Sequence, residues 1–228
     1  MERHFDEELK GLKERLLYMG NLAEKMINQA IEGLVKRDTN LFNQINEWEN
    51  EMNFLHIEID DCCLKLLALR QPTAADLRFI TAGMKINSEL ERVGDQAVNI
   101  SQNGSEYLKE PQLKPLIDIP RMANLASKML QDGLDSFVRK DVELAKSILE
   151  RDDEVDGLKD QLFRELLTFM LSDPATIKRA LTLILISRNL ERIGDHATNV
   201  AEDVIFMVLG KDVRHHVAER KEASPRSS

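Results

Sequence analysis

The segment NSELERVGDQAVNISQ at residues 87–102 returns as SRNLERIGDHATNVAE at 187–202, an offset of 100. The pairs Leu90/Leu190, Glu91/Glu191, Arg92/Arg192, Gly94/Gly194, Asp95/Asp195, Ala97/Ala197 and Asn99/Asn199 are identical. Upstream, ENEMN (49–53) aligns with DDEVD (152–156), and Pro72 with Pro174. Self-similarity at a nearly constant separation, 100 to 103 residues, marks two copies of one supersecondary unit, and it constrains the fold more tightly than any other feature of the chain. The reading is a first repeat over 1–110, a proline-rich linker at 111–119 holding Pro111 and Pro115, a second repeat over 120–210, and a polar tail at 211–228.

Each copy is helical. Phe5, Leu9, Leu12, Leu16, Met19, Ala23, Met26 and Ala30 alternate steps of four and three, a heptad seam. Ile45, Trp48, Met52, Leu55, Ile59, Cys62, Leu66 and Leu69 repeat the pattern, and Gly83, Ile86, Leu90, Val93, Ala97 and Ile100 give a third seam. With only 10 Gly and 6 Pro in 228 residues, little interrupts these runs. Thr73 with Asp76 reads as a capping box after Pro72, and Asp173-Pro174 as an N-cap with proline at the first helical position. Asp38 and Asp141 are placed to cap the helices that follow them. Short connections at Pro72 and Pro174 make the second and third helices of each copy antiparallel neighbours. The expected fold is all-α: two tandem three-helix bundles related by an internal repeat, each up-down-up.

Several function classes are disfavoured. A net charge of −9 argues against a nucleic-acid binder, which needs a dense positive surface. Cys62 and Cys63 are adjacent, the only cysteines, and read as small buried hydrophobes rather than a disulfide or a metal pair. The start MERHFDEELK lacks the apolar stretch of a signal peptide, and no apolar run approaches the ~20 residues that span a bilayer. A soluble, cytoplasmic protein is expected, not embedded in a membrane. No phosphate-cradling G-x-x-x-x-G-K-[ST] loop and no Ser/His/Asp or Cys/His arrangement stands out, so the expectation is a non-enzyme. His4, His56, His215 and His216 lack a partner histidine at helical spacing; His196 follows Asp195, where the first copy has Gln96.

The repeated LER-[VI]-GD segment carries the chemistry. Glu91 with Asp95, and Glu191 with Asp195, are i,i+4 like-charge pairs, each costing a few tenths of a kcal/mol unless neutralised. Arg92 and Arg192, or a metal, could supply the compensating charge. If the first hairpin turns near residue 71, Glu51 lies level with Glu91 and Glu47 with Asp95. If the second turns near 172–173, Glu154 lies level with Glu191 and Glu150 with Asp195. The phase of the seams puts the paired carboxylates on outward positions, so a site there is on the surface or in a groove. Two readings stay open: a solvated acidic face, or an all-oxygen seat for Mg, Mn, Ca or iron. Gly94 and Gly194, inside strong helical patterns, suggest close helix packing or ligand approach.

These residues resemble the PhoU family of bacterial phosphate-transport regulators. RQPTAADLR (70–78) before SELERVGDQAVNI (88–100) is similar to that family's first-repeat pattern, and SRNLERIGDHATNVAED (187–203) with GKDVRHH (210–216) to its second. The resemblance spans about residues 5–216. It implies a cytoplasmic, commonly dimeric protein that negatively regulates phosphate uptake and phosphate-starvation signalling. Its implied partners are the phosphate ABC transporter ATPase and a sensor histidine kinase. It also implies surface clusters of iron, zinc or another metal (Mn, Mg) on E(D)-x-x-x-D motifs, here Glu91/Asp95 and Glu191/Asp195. Glu47/Glu51 and Glu150/Glu154 match that motif more weakly. The alternative reading is a metal-binding helical scaffold without a role in phosphate signalling.

Overall fold

The computed structural model of the chain describes residues 2–210, with side chains from Phe5 onward. The expected polar tail at 211–228, with His215, His216 and the rest of GKDVRHH after Gly210, lies outside the described residues, as does the side chain of His4. Six helices follow one another: α1 (Glu2–Lys36), α2 (Asn40–Arg70), α3 (Ala74–Leu108), α4 (Asp118–Arg139), α5 (Val142–Ser172) and α6 (Ile177–Leu209). A single 3-10 turn, Pro174–Thr176, precedes α6, and there is no strand among the described residues. The fold is all-α, two tandem three-helix bundles related by the repeat.

The heptad seams are the buried stripes. Leu12, Leu16, Met19, Ala23, Met26 and Ala30 of α1 are fully buried, as are Ile86, Leu90, Val93, Ala97 and Ile100 of α3. On α2 the seam steps from Ile59 to Cys63, not Cys62; Cys63 is buried and Cys62 only partly so, because a step of four follows Ile59 and a step of three leads on to Leu66. Each buried Leu, Ile, Val or Met on these stripes contributes about 1.5–3 kcal/mol relative to full exposure. At the helix starts, the Thr73 hydroxyl oxygen accepts from the Asp76 N–H, and Asp141 accepts from the Leu144 N–H at 3.0 Å. Asp38 accepts from the Asn40 N–H at 3.0 Å, although Thr39 holds the formal cap position. Asp173 accepts from the Ala175 N–H, and Pro174 opens the 3-10 turn rather than α6 itself.

The halves do not stand apart as separate bundles. One continuous apolar core runs through both. The broadest junction is α3 against α6, and the two are antiparallel: Arg78 Nε donates to the Met207 carbonyl at 3.0 Å, and Lys85 pairs with Asp203 at 2.8 Å. A second junction brings α1 against α4, and here a side chain at Gly20 would have to displace Leu134. A Cβ at Gly20 would fall 2.0 Å from Leu134 Cδ1. The proline-rich connection is strapped down at several points. Arg37 Nη2 donates to the carbonyls of Leu108 (3.1 Å) and Glu110 (2.7 Å), and the Leu113 N–H donates to the Tyr107 hydroxyl at 2.9 Å. Lys114, buried, pairs with Asp118 at 3.1 Å and with Glu165 of α5.

Candidate acidic seams

α5 and α6 bring together the second carboxylate set. Glu191 accepts from Lys159 Nζ at 3.0 Å, and the same ammonium holds Asp156 at 2.8 Å. Asp152 lies against the helix surface at Gly194, where an added Cβ would sit 3.6 Å from its Oδ1. That is ordinary van der Waals contact, so an alanine would fit at this position and the approach of α5 does not depend on the glycine. Partial desolvation, then the charges of Glu191, Asp152 and Asp156, push the Asp195 carboxyl up to about 6. Burial, then Asp156, Asp153 and Glu191, push Asp152 up as well. Lys159 is held above its ordinary range, first by its hydrogen bond to Asp156 and, against the cost of burial, by Glu191. The seam is therefore four carboxylates, Asp152, Asp156, Glu191 and Asp195, sharing one built-in ammonium.

Glu150 and Glu154 are not in that set. Glu154 turns toward α4 and pairs with Arg121 at 3.1 Å, and Glu150 is exposed. The physical reason is the pivot of the hairpin. The extra 3-10 turn moves the level point from 172–173 to about Pro174, and this shift brings Asp152, Asp156 and Lys159 opposite Glu191 and Asp195.

The first copy repeats the arrangement with different chemistry. Glu91 and Asp95 lie on the outward side of α3, and partial burial followed by the Asp95 charge raises the Glu91 carboxyl. Glu51 accepts from the Tyr18 hydroxyl of α1, which raises that phenol, and Glu47 is exposed. Aligned with Asp156 and Lys159 stand Asn53 and His56. His56 Nδ1 is buried without a partner, while its Nε2 is 3.6 Å from Asp60. Among the described residues the arginines form no ion pair with these carboxylates: Arg92 bonds Glu89 at 3.2 Å, and Arg192 is exposed. Among the described residues no three His, Cys, Asp or Glu side chains converge closely enough to hold a metal ion as they stand.

A further polar cluster, absent from the sequence reading, joins the copies. Glu89 of α3 accepts from Asn199 Nδ2 at 3.0 Å and meets His196 Nδ1 at 2.7 Å. Burial pushes the Glu89 carboxyl up, but the hydrogen bonds from His196 and Asn199, with the charges of His196 and Arg92, bring it net below its ordinary value. His196 is thus occupied at the junction. The sequence signal was the exchange of Glu89 and His196 for Asn189 and Gln96 at the repeat-equivalent positions.

No helix among the described residues is long and apolar enough to cross a membrane. A family model described as the PhoU domain matches the chain twice, over residues 16–104 and 119–204. A phosphate-specific transport system accessory protein PhoU homolog of Pseudomonas aeruginosa is 39% identical over 216 residues, 94% of this chain and 89% of the relative. The crystal structure of PhoU from Pseudomonas aeruginosa superposes with a TM-score of 0.87 at 38% identity, covering 91% of this chain and 100% of that one. The phosphate transport system regulatory protein PhoU from Streptococcus pneumoniae superposes at 0.85 with 30% identity, covering 92% and 99%.

Proposed function

The chain belongs to the PhoU family, and from that premise we propose that it serves the phosphate transport system as a negative regulator of phosphate uptake and of phosphate-starvation signalling. It acts by binding rather than by catalysis, bridging the phosphate ABC transporter ATPase and a sensor histidine kinase in the cytoplasm, as a homodimer. The observation that carries this reading is the coverage. The family match takes in both copies of the repeat, and the relative it aligns with over 94% of this chain is named as a phosphate-specific transport system accessory protein. The acidic α5–α6 face complements basic partner surfaces, and charge complementarity sets which partner is chosen and how fast it docks.

The seams are also the place where a metal would act. The donor set is all carboxylate oxygen in the second copy, which suits a hard or borderline cation such as iron, Mn, Mg or Zn. Burial first, and neighbouring carboxylate charge second, raise the carboxyls of Asp195, Asp152 and Glu91, and Lys159 marks where a cation is already held. Glu191, Asp195, Asp152 and Asp156 would hold it in the second copy once Lys159 withdraws, and Glu91 and Asp95 in the first. Bound there, a metal would supply fixed positive charge.

The test is co-purification with the tagged transporter ATPase from cells grown at high and low phosphate. Recovery that depends on phosphate supports the reading, and equal absence under both conditions removes it.

A further inference from the structure

The same α5–α6 hairpin carries an apolar ladder on its outward side. Phe163, Leu167 and Leu171 recur every four residues on α5, and Ile177, Leu181 and Leu185 do so on α6. All six are exposed: Phe163 48%, Leu167 40%, Leu171 78%, Ile177 41%, Leu181 48% and Leu185 48%. Phe163 and Leu185 are equidistant in sequence from Pro174, as are Leu167 and Leu181, and Leu171 and Ile177, so they form three level rungs. The core positions of the same helix, Val155, Leu158, Leu162 and Leu166, are buried on the other side. The ladder is therefore surplus to the fold.

The first copy lacks it. The repeat-equivalent positions are Asp60, Leu64, Ala68, Leu77, Thr81 and Lys85. Two of these serve inside the chain: Asp60 accepts from Asn87 at 2.9 Å, and Lys85 pairs with Asp203. Of the others, Leu64 and Leu77 are exposed at 54% and 44% on different rungs, so at these positions the first copy has no complete rung of large apolar side chains where the second has three.

One heptad beyond the middle rung, again equidistant from Pro174, stand Asp160 on α5 and Arg188 on α6. Both are exposed, and neither forms an ion pair among the described residues. A heptad step keeps Asp160 on the face of Leu167 and Arg188 on the face of Leu181, about 10 Å further along. The surface is self-complementary. A two-fold axis parallel to the helices lays α5 of one copy over α6 of another at the same level. It stacks Leu167 on Leu181, Phe163 on Leu185 and Leu171 on Ile177, and sets each Asp160 against an Arg188.

We propose that the outward face of the α5–α6 hairpin is the surface on which two copies of this chain pair. This deepens the homodimer reading given above and rests on it. The six side chains expose on the order of 600 Å² of apolar surface per copy, the ceiling for a patch left open on a monomer. Together with Asp160, Arg164, Lys178 and Arg188 around them, they approach the roughly 800 Å² per partner of a stable interface. An apolar centre with a charged rim is the ordinary anatomy of such a contact. A second copy is the occupant because the charges match under the same rotation that matches the rungs.

Sedimentation equilibrium of the full chain from about 1 to 100 μM, with circular dichroism as the folding control, tests it. Wild type is expected to dimerise. Leu167→Asp with Leu181→Asp is expected to weaken the dimer at least ~100-fold with helical content unchanged, since both positions are already solvent-facing. Asp160→Arg or Arg188→Asp alone each weakens it about tenfold by setting like charges together, and the doubly swapped chain regains wild-type affinity within roughly threefold. A dimer that survives the paired leucine substitutions, or a swapped chain no tighter than the single variants, overturns this surface and leaves the homodimer standing on another face. A wild type that stays monomeric throughout removes both.

Discussion

Glu89 of α3 and His196 of α6 meet at 2.7 Å across the junction of the two copies, with side chains only 12% and 14% exposed. Their repeat-equivalents are Asn189 and Gln96, both buried, and Gln96 Oε1 has no hydrogen-bond partner. The repeat thus carries a Glu–His clasp at one pair of positions and two buried amide residues at the other. His196→Ala leaves a buried carboxylate with fewer donors and is expected to cost about 1–3 kcal/mol in urea unfolding. Glu89 has its carboxyl below the ordinary value, so its stabilisation is present above about pH 4.5 and is lost as pH falls through its folded pKa. Glu89→Gln should therefore flatten the acid limb of the stability profile. A variant whose acid limb matches wild type would contradict the pairing.

Asp195→Asn relieves the second seam. Its carboxyl is raised from 3.8 to about 6, so its ionisation costs stability as pH rises through that interval, and the cost is complete above it. The asparagine variant is expected to match wild type below about pH 4 and to exceed it at pH 7. After allowance for solvent screening the gain is about 1 kcal/mol, roughly 2–4 °C in Tm. Thermal unfolding at the two pH values reads it.

Lys159→Met removes the ammonium shared by Asp156 and Glu191. Four carboxylates then face one another with no internal cation. The variant should lose stability at pH 7 and regain it on addition of manganese or iron, by a larger Tm rise than wild type shows. Equal metal response in the two chains would mean that the seam does not recruit metal when its lysine is gone.

Gly20→Ala sets a methyl group into Leu134 at the α1–α4 junction. Overpacking of this kind costs about 1–3 kcal/mol, and Leu134→Ala in the same chain should recover part of it, a coupling that a double-mutant cycle measures. Additive losses would show that the two helices do not meet as described.

The helices, their caps and the outward placement of Glu91/Asp95 and Glu191/Asp195 were legible because each depends on residues close in sequence. Thr73 with Asp76 and Asp141 with Leu144 are contacts over three residues. The partners of the seam were harder to read, because they depend on where a hairpin pivots. A shift of the level point to about Pro174 exchanges Glu150 and Glu154 for Asp152 and Asp156, with Lys159 between them. Phase mattered as well: Glu51 and Glu154 sit near the expected height but face Tyr18 and Arg121 on the first helix of each copy. Contacts between copies were hidden altogether, since the periodicity of one helix marks a buried stripe without naming what covers it. Glu89 and His196 lie 107 residues apart and became neighbours only through the packing of α3 on α6.

Expression of phosphate-starvation genes after deletion of the gene measures the proposed restraint on phosphate-starvation signalling most directly. In phosphate-rich medium the deletion strain is expected to express those genes constitutively, and the wild-type chain supplied in trans should return them to the repressed level. Expression that stays repressed in the deletion strain, with no paralogue present, would contradict the account.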